Sequence, residues 1–167
     1  MATTNLISVH EYLATAYRPD CDYVDGAVVE RNVGEKDHGK LQRSLLIYFH
    51  ERRTTWGINV FPEQRVQVSA ARFRIPDICV VLGSEPEEQI FTRPPFICIE
   101  ILSPEDRLSA MQERVGDYLR FGVPYVWILD PRSRKAFRCT LEGMLQVPEL
   151  RTEDPAIVVP LEALFED

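Results

Sequence analysis

Two acidic residues stand inside otherwise apolar runs of the sequence. Glu100 lies within Phe96–Leu102 (FICIEIL), and Asp77 lies within Arg74–Val81 (RIPDICVV). Alternate side chains of a strand share a face, so each acid has apolar neighbours on its own face. An ionised carboxylate there costs several kcal/mol unless it is paired, protonated or bound to a cation. If the two faces agree, a hard divalent cation with oxygen ligands would relieve both burial and mutual repulsion.

Each acid also has an ordinary structural explanation. An Asp that follows Pro76 is typical of a turn, and a strand Glu commonly pairs with one of the sixteen arginines. Either residue alone favours that explanation. Both together, on consecutive β-prone runs, favour a metal site.

The elements that must position these acids follow from hydrophobic spacing and turn residues. We expect helices over Val9–Tyr17, from Asp37 to the stop at Gly57, over Asp106–Phe121 and from Leu161, and a hairpin in Tyr23–Glu30 turned at Asp25-Gly26. We expect strands over Ile58–Val68, Phe73–Val81, Phe96–Leu102, Tyr125–Leu129, Ala136–Leu141 and Ala156–Val159. This order predicts a central mixed β-sheet flanked by helices, with an N-terminal helix and hairpin, in the α/β or mixed α+β class.

Length and composition limit the function classes. With 167 residues, 45% of them hydrophobic, the chain predicts one domain, residues 1–167. A net charge of -7 argues against a general polycation, although a local basic patch is compatible with it. The four cysteines show no metal or disulfide spacing. No signal peptide or apolar span is visible, so we expect a cytoplasmic protein without membrane contact.

The order of Pro76-Asp77 and then Glu100-Ile101-Leu102 resembles the PD-(D/E)XK nuclease superfamily, which has the restriction-endonuclease-like fold. More closely, the chain is similar to the Uma-type restriction-endonuclease family. The segments that carry this resemblance are YVDGAVVE (23–30), DHG (37–39), FPEQRVQV (61–68), RIPDICVV (74–81), IEILSP (99–104), 114–118 and GVPYVWILD (122–130).

The resemblance implies a metal-dependent endonuclease that acts on DNA as a homodimer, with Mg²⁺ or Mn²⁺ as cofactor. Asp77 and Glu100 would be metal ligands together with the main-chain carbonyl of Ile101, and Glu30 would be an additional catalytic acid. The metal would lower the pKa of a bound water and neutralise charge on the phosphate.

The sequence departs from the superfamily pattern at its lysine. Leu102 stands two residues after the second acid, where many members have Lys, and the Uma-type position four residues before Tyr118 holds Arg114. Arginine donates to phosphate and stabilises transition-state charge, but it cannot act as a base. Lys40 is a possible substitute, and Gln112 could hydrogen-bond the attacking water.

Further residues have two readings each. His38 caps a helix or lies near the metal or phosphate, and Glu63 pairs with Arg65 or acts as an accessory group. The basic turn with Arg132, Arg134, Lys135 and Arg138 contacts phosphate or is a solvated hairpin turn.

Three functions stay open at this point. The first is a DNA endonuclease weakened by Arg114. The second is a catalytically inactive nuclease-fold protein that binds DNA or serves as a structural dimer. The third, a small-molecule hydrolase or phosphatase, lacks the support of a phosphate-binding Gly-rich loop or a nucleophile elbow.

Overall fold

The computed structural model describes residues 5–32 and 34–165, and within these residues the chain forms a six-stranded, a four-stranded and a two-stranded β-sheet together with two long helices. The helices are α1 (Val9–Ala14), α2 (Lys36–Glu51), α3 (Arg53–Trp56) and α4 (Leu108–Phe121), with a 3-10 turn at Leu161–Ala163. The strands are β1 (Asp22–Val24), β2 (Ala27–Val29), β3 (Ile58–Pro62), β4 (Val66–Ser69), β5 (Arg72–Arg74), β6 (Ile78–Leu82), β7 (Ile97–Ile101), β8 (Tyr125–Asp130), β9 (Lys135–Thr140), β10 (Gly143–Val147), β11 (Glu149–Thr152) and β12 (Ile157–Pro160).

The larger sheet has the strand order β10-β9-β8-β7-β6-β3 within the described residues. Its β7–β8 pair is parallel and its other pairs are antiparallel, which confirms the predicted mixed sheet. Helix α2 packs Leu45 and Phe49 on one face, and α4 packs Met111 and Val115 on the other. The central strands are therefore buried on both faces, as their continuous apolar runs require.

The four-stranded sheet, called the smaller sheet below, has the order β2-β1-β5-β4 and packs against α1. The predicted Asp25-Gly26 turn joins β1 to β2, and Ser8 caps α1 by accepting the N–H of Glu11 at 3.1 Å. Stacking of Tyr12 on Tyr23, with ring centroids 5.0 Å apart, joins helix to sheet. Helix α1 ends at Ala14, three residues before the predicted end.

Two predicted strands are each divided between the two sheets. The run 58–68 breaks at Glu63, whose φ of 48° is left-handed and ends pairing to β6. The run 73–81 breaks at Pro76, which has no N–H to donate to a ladder. Both breaks turn the chain from one sheet to the other. The expectation of one continuous strand was wrong over 58–68, whereas a start, bulge or edge at Pro76 is what its missing N–H predicts.

Strands β10 and β11 were not predicted. All residues of β10 except Val147 are exposed, so the strand has no buried face and shows no alternation in the sequence. Helix α4 begins at Leu108, two residues after the predicted start, and ends at Phe121 before Gly122, whose φ of 105° suits glycine, as predicted. Within the described ranges, no helix is long and apolar enough to cross a membrane.

Candidate active site

The two acids singled out in the sequence face each other at one end of the larger sheet. Strands β6 and β7 are antiparallel with Ile78 opposite Ile99, and the next step of that register places Asp77 opposite Glu100. The side chain of Asp77 also accepts the N–H of Ile101 at 2.7 Å. Asp77 is 4% exposed and Glu100 is 1% exposed. The break at Pro76 thus leaves Asp77 free to bond the neighbouring strand through its side chain.

Asp77 is held as an ionised carboxylate. Its Oδ1 lies 3.0 Å from Nη2 of Arg31 and 3.4 Å from Nε2 of His38. Burial alone would raise the pKa of Asp77, but His38, Arg31 and the Ile101 N–H together hold it below its ordinary value. The same hydrogen bond raises the pKa of His38 against the opposing effect of its burial. Gln42 fixes the backbone here by donating to the Asp77 carbonyl at 3.1 Å.

Glu100 has the opposite electrostatic character. Burial raises the pKa of Glu100 to about 7, Arg114 opposes that shift, and the charge of Asp77 adds to it. Tyr118 donates its hydroxyl to Oε1 at 2.6 Å, and Nη1 of Arg114 lies 3.1 Å from Oε2. Two carboxylates with diverging pKa values at one place are a pattern typical of acid and base groups in active sites.

A chain of buried ion pairs continues from Arg114 into the smaller sheet. Nε of Arg114 lies 3.4 Å from Asp22, which also pairs with Arg74 at 3.1 Å. Arg74 in turn contacts Asp117 of α4 at 2.7 Å. These pairs connect β1, β5 and α4, so the position of Arg114 depends on both sheets.

The remaining predicted site residues lie at different distances from the two acids. His38 contacts Asp77, as described above. Glu63 touches the site through its backbone, since its N–H donates to the Asp77 carbonyl at 3.2 Å. Glu30 is exposed directly after β2, where its charge acts on Cys21.

Two accessory candidates, Gln112 and Lys40, lie away from the two acids. Gln112 lies on the exposed side of α4, in a surface hollow with Leu141 and Met144. Lys40 lines a separate cleft beside the β8–β9 turn. The structure therefore brings neither of them to the two carboxylates.

The donor set fits a hard divalent cation in its chemistry. Mg²⁺ commonly uses one or two carboxylates and keeps several waters, and Asp77 and Glu100 supply two carboxylates on one face. Both acids also have a cationic neighbour, because Arg31 and Arg114 contact them. Among residues 5–32 and 34–165, no group of three His, Cys, Asp or Glu side chains is placed to hold a metal. A bound cation would therefore depend on these two acids, the Ile101 carbonyl and water.

Sequence reasoning missed Arg31 and the pairing role of Asp22. A charged residue at the start of a short apolar strand was a signal for Asp22, since it directly precedes Tyr23 and Val24. Arg31 follows the hairpin in an irregular segment, and nothing in its spacing indicated a contact with a residue 46 positions away.

Comparison with known proteins shows the family and the fold of the chain. A sequence model of the Uma2 family, described as "Putative restriction endonuclease", matches residues 9–166. One solved structure, a nuclease described as putative and belonging to DUF820 from Anabaena variabilis ATCC 29413, has a TM-score of 0.81 and 20% identity. The match covers 95% of this chain and 97% of that chain. No curated protein matches.

The fold is thus restriction-endonuclease-like. The chain belongs to the Uma2 family of restriction endonucleases described as putative.

Proposed function

We propose that this protein is a divalent-metal-dependent DNA endonuclease that hydrolyses phosphodiester bonds. The observation that carries the proposal is that Asp77, just before β6, bonds to β7 directly beside Glu100, with both acids buried and their pKa values divergent. Membership of the Uma2 family supports DNA as the substrate.

Each residue has a role in this proposal. Asp77, Glu100 and the Ile101 carbonyl would hold Mg²⁺ or Mn²⁺, and the cation would lower the pKa of a bound water and neutralise charge on the phosphate. The Ile101 N–H and Tyr118 fix the orientation of the two carboxylates. Arg114 donates to the scissile phosphate as charge develops, a task suited to a guanidinium.

Glu30 is the additional acid of the proposal. Its exposed position after β2 leaves it able to reach substrate outside the buried pair. Replacing Glu30 with Gln should therefore reduce cleavage less than replacing Asp77 or Glu100.

The second candidate is a nuclease-fold protein that binds DNA without turnover. It is favoured by the saturation of both acids, because Oδ1 and Oδ2 of Asp77 and both oxygens of Glu100 already accept from cations or donors. In this reading Arg31 and Arg114 serve as permanent counter-ions in place of a metal.

Stability alone does not separate the two candidates. Asp77→Asn leaves the buried guanidinium of Arg31 with a weaker partner, so it destabilises the fold under either function. Cleavage is the property that distinguishes them.

The test is cleavage of supercoiled plasmid at low salt with Mg²⁺ or Mn²⁺. Wild type is compared with Asp77→Asn, Glu100→Gln and Arg114→Lys, and with Glu105→Gln as the same change at an exposed position. Nicking by wild type and Glu105→Gln, but not by the two acid variants, supports the nuclease. A silent wild type with an active Arg114→Lys variant supports the inactive scaffold.

A homodimer in the cytoplasm completes the proposal. Two copies would supply one site for each DNA strand, in agreement with the family resemblance. Sedimentation equilibrium should give about twice the chain mass of 19.3 kDa, and a monomer mass at all concentrations would refute the dimer.

A further inference from the structure

A cleft at the same end of the larger sheet as the two acids concentrates positive charge on an otherwise acidic protein. It has a volume of about 390 Å³ and lies between the start of α2 and the β8–β9 turn. Among its described lining residues one, Asp37, is acidic and four are cationic: Lys40, Arg43 and Arg132, together with Arg134, which has interaction partners of its own. The whole chain carries -7. A positively charged cleft on a negatively charged protein is the electrostatic pattern typical of a surface that binds a polyanion.

Helix α2 connects the cleft directly to the acids. On one flank, His38 and Gln42 contact the side chain and the carbonyl of Asp77. On the other flank, Lys40 and Ser44 line the cleft. The two sites are thus separated by the width of one helix.

The second wall of the cleft lies at the same end of the sheet as the acids. Strand β8 runs parallel to β7 with Leu129 opposite Ile101, so the turn after β8 follows the end of β7. Asp130 fixes this turn by accepting from the N–H of Arg132 at 2.9 Å and from Ser133 Oγ at 2.7 Å. Arg132 is therefore presented on an ordered turn, which reduces the entropy lost on binding.

We propose that this cleft binds the phosphate backbone of the DNA strand at nucleotides adjacent to the one held at Asp77 and Glu100. The inference rests on the proposed function, and it assigns the substrate contacts that the two acids do not provide. Arginine and lysine are the residues that contact phosphate most, and such contacts set register without reading sequence. Of the basic turn, Arg132 and Arg134 line the cleft, whereas Lys135 and Arg138 do not and are left out of the proposal.

The test measures DNA binding separately from cleavage. A short fluorescein-labelled duplex is titrated in EDTA, and affinity is followed by anisotropy between about 50 and 200 mM NaCl. The variants are Lys40→Gln, Arg132→Gln and the triple change that adds Arg43→Gln. Arg134 stays in place because its guanidinium packs on Phe165. The matched control is Arg93→Gln, an exposed arginine in the β6–β7 loop at the opposite end of the sheet.

Each cation removed from the cleft should make the slope of log affinity against log salt shallower by about one, and the triple variant by about three. The control should keep the wild-type slope, and thermal unfolding should show that all variants are folded. An unchanged slope in the triple variant, or no duplex binding by wild type, would overturn the proposal. Tighter binding of a single-stranded RNA of the same sequence would overturn its assignment to DNA.

The outcomes separate this inference from the proposed function. If the slope of log affinity against log salt becomes shallower in the cleft variants but wild type does not cleave plasmid, the cleft proposal is supported and the nuclease proposal is refuted. If wild type cleaves plasmid and the triple variant keeps the wild-type slope, the nuclease proposal is supported and the cleft proposal is refuted.

Discussion

The raised pKa of Glu100 predicts that this side chain lowers the stability of the metal-free protein as pH rises. Burial raises its pKa to about 7 from a reference of 4.5. Between these values the folded protein keeps a proton that the unfolded chain has released, so the free energy of unfolding falls with rising pH. Above about pH 7 both states are ionised and this contribution is constant.

The size of the effect follows from the two pKa values. A shift from 4.5 to about 7 corresponds to about 3 kcal/mol, at about 1.4 kcal/mol per pKa unit. Glu100→Gln removes the titration with little change of shape. We therefore expect the variant to gain about 3 kcal/mol relative to wild type between pH 4.5 and pH 8.

The assay is urea unfolding of both proteins in EDTA across that pH range. The difference between the two unfolding free energies isolates Glu100, because other titrating groups are common to both. Glu105→Gln, with its exposed carboxyl, shows how much pH dependence any lost glutamate produces. A difference that stays flat, or that falls as pH rises, would show that Arg114 dominates burial and would refute the reasoning.

Further predictions concern the same buried groups. Asp77→Asn should abolish plasmid cleavage and cost about 3 kcal/mol in urea unfolding, since the Arg31 guanidinium loses its ionic partner; a cleaving variant would contradict the site. Arg74→Met should destabilise by about 3 to 5 kcal/mol, because it leaves buried carboxylates uncompensated, and calorimetry should show the loss in Tm. Tyr118→Phe should cost about 1 to 3 kcal/mol in urea unfolding, because Glu100 loses a 2.6 Å hydrogen bond, and wild-type stability would contradict this.

The acid pair could be found from sequence because its signal is local. Strand alternation assigns a face to each residue, and a carboxylate on a face of Ile and Cys residues is an exception to the apolar pattern that the sequence shows directly. The central sheet was equally visible, since β7 and β8 are apolar on both faces. The catalytic roles of Asp77 and Glu100 remain predictions.

The features that sequence did not reveal depend on contacts between distant segments. Glu63 and Pro76 mark points where the chain changes sheet, but a left-handed residue and a proline are also found in ordinary turns. Arg31 contacts Asp77 across 46 residues of sequence, and no residue spacing encodes that contact. The exposed β10 has no burial pattern at all, since pairing to β9 is its main constraint.

Arginine in place of the expected lysine has a structural reason in this chain. One guanidinium spans two acids, with Nη1 of Arg114 3.1 Å from Glu100 and Nε 3.4 Å from Asp22. An ammonium is a single compact charge and would serve one of the two acids less well. The substitution therefore connects the site to the ion-pair chain that runs through Arg74. Arg114→Lys restores a lysine but also weakens the contact that joins the two sheets. The cleavage rate of this variant should accordingly be divided by its folded fraction before it is compared with wild type.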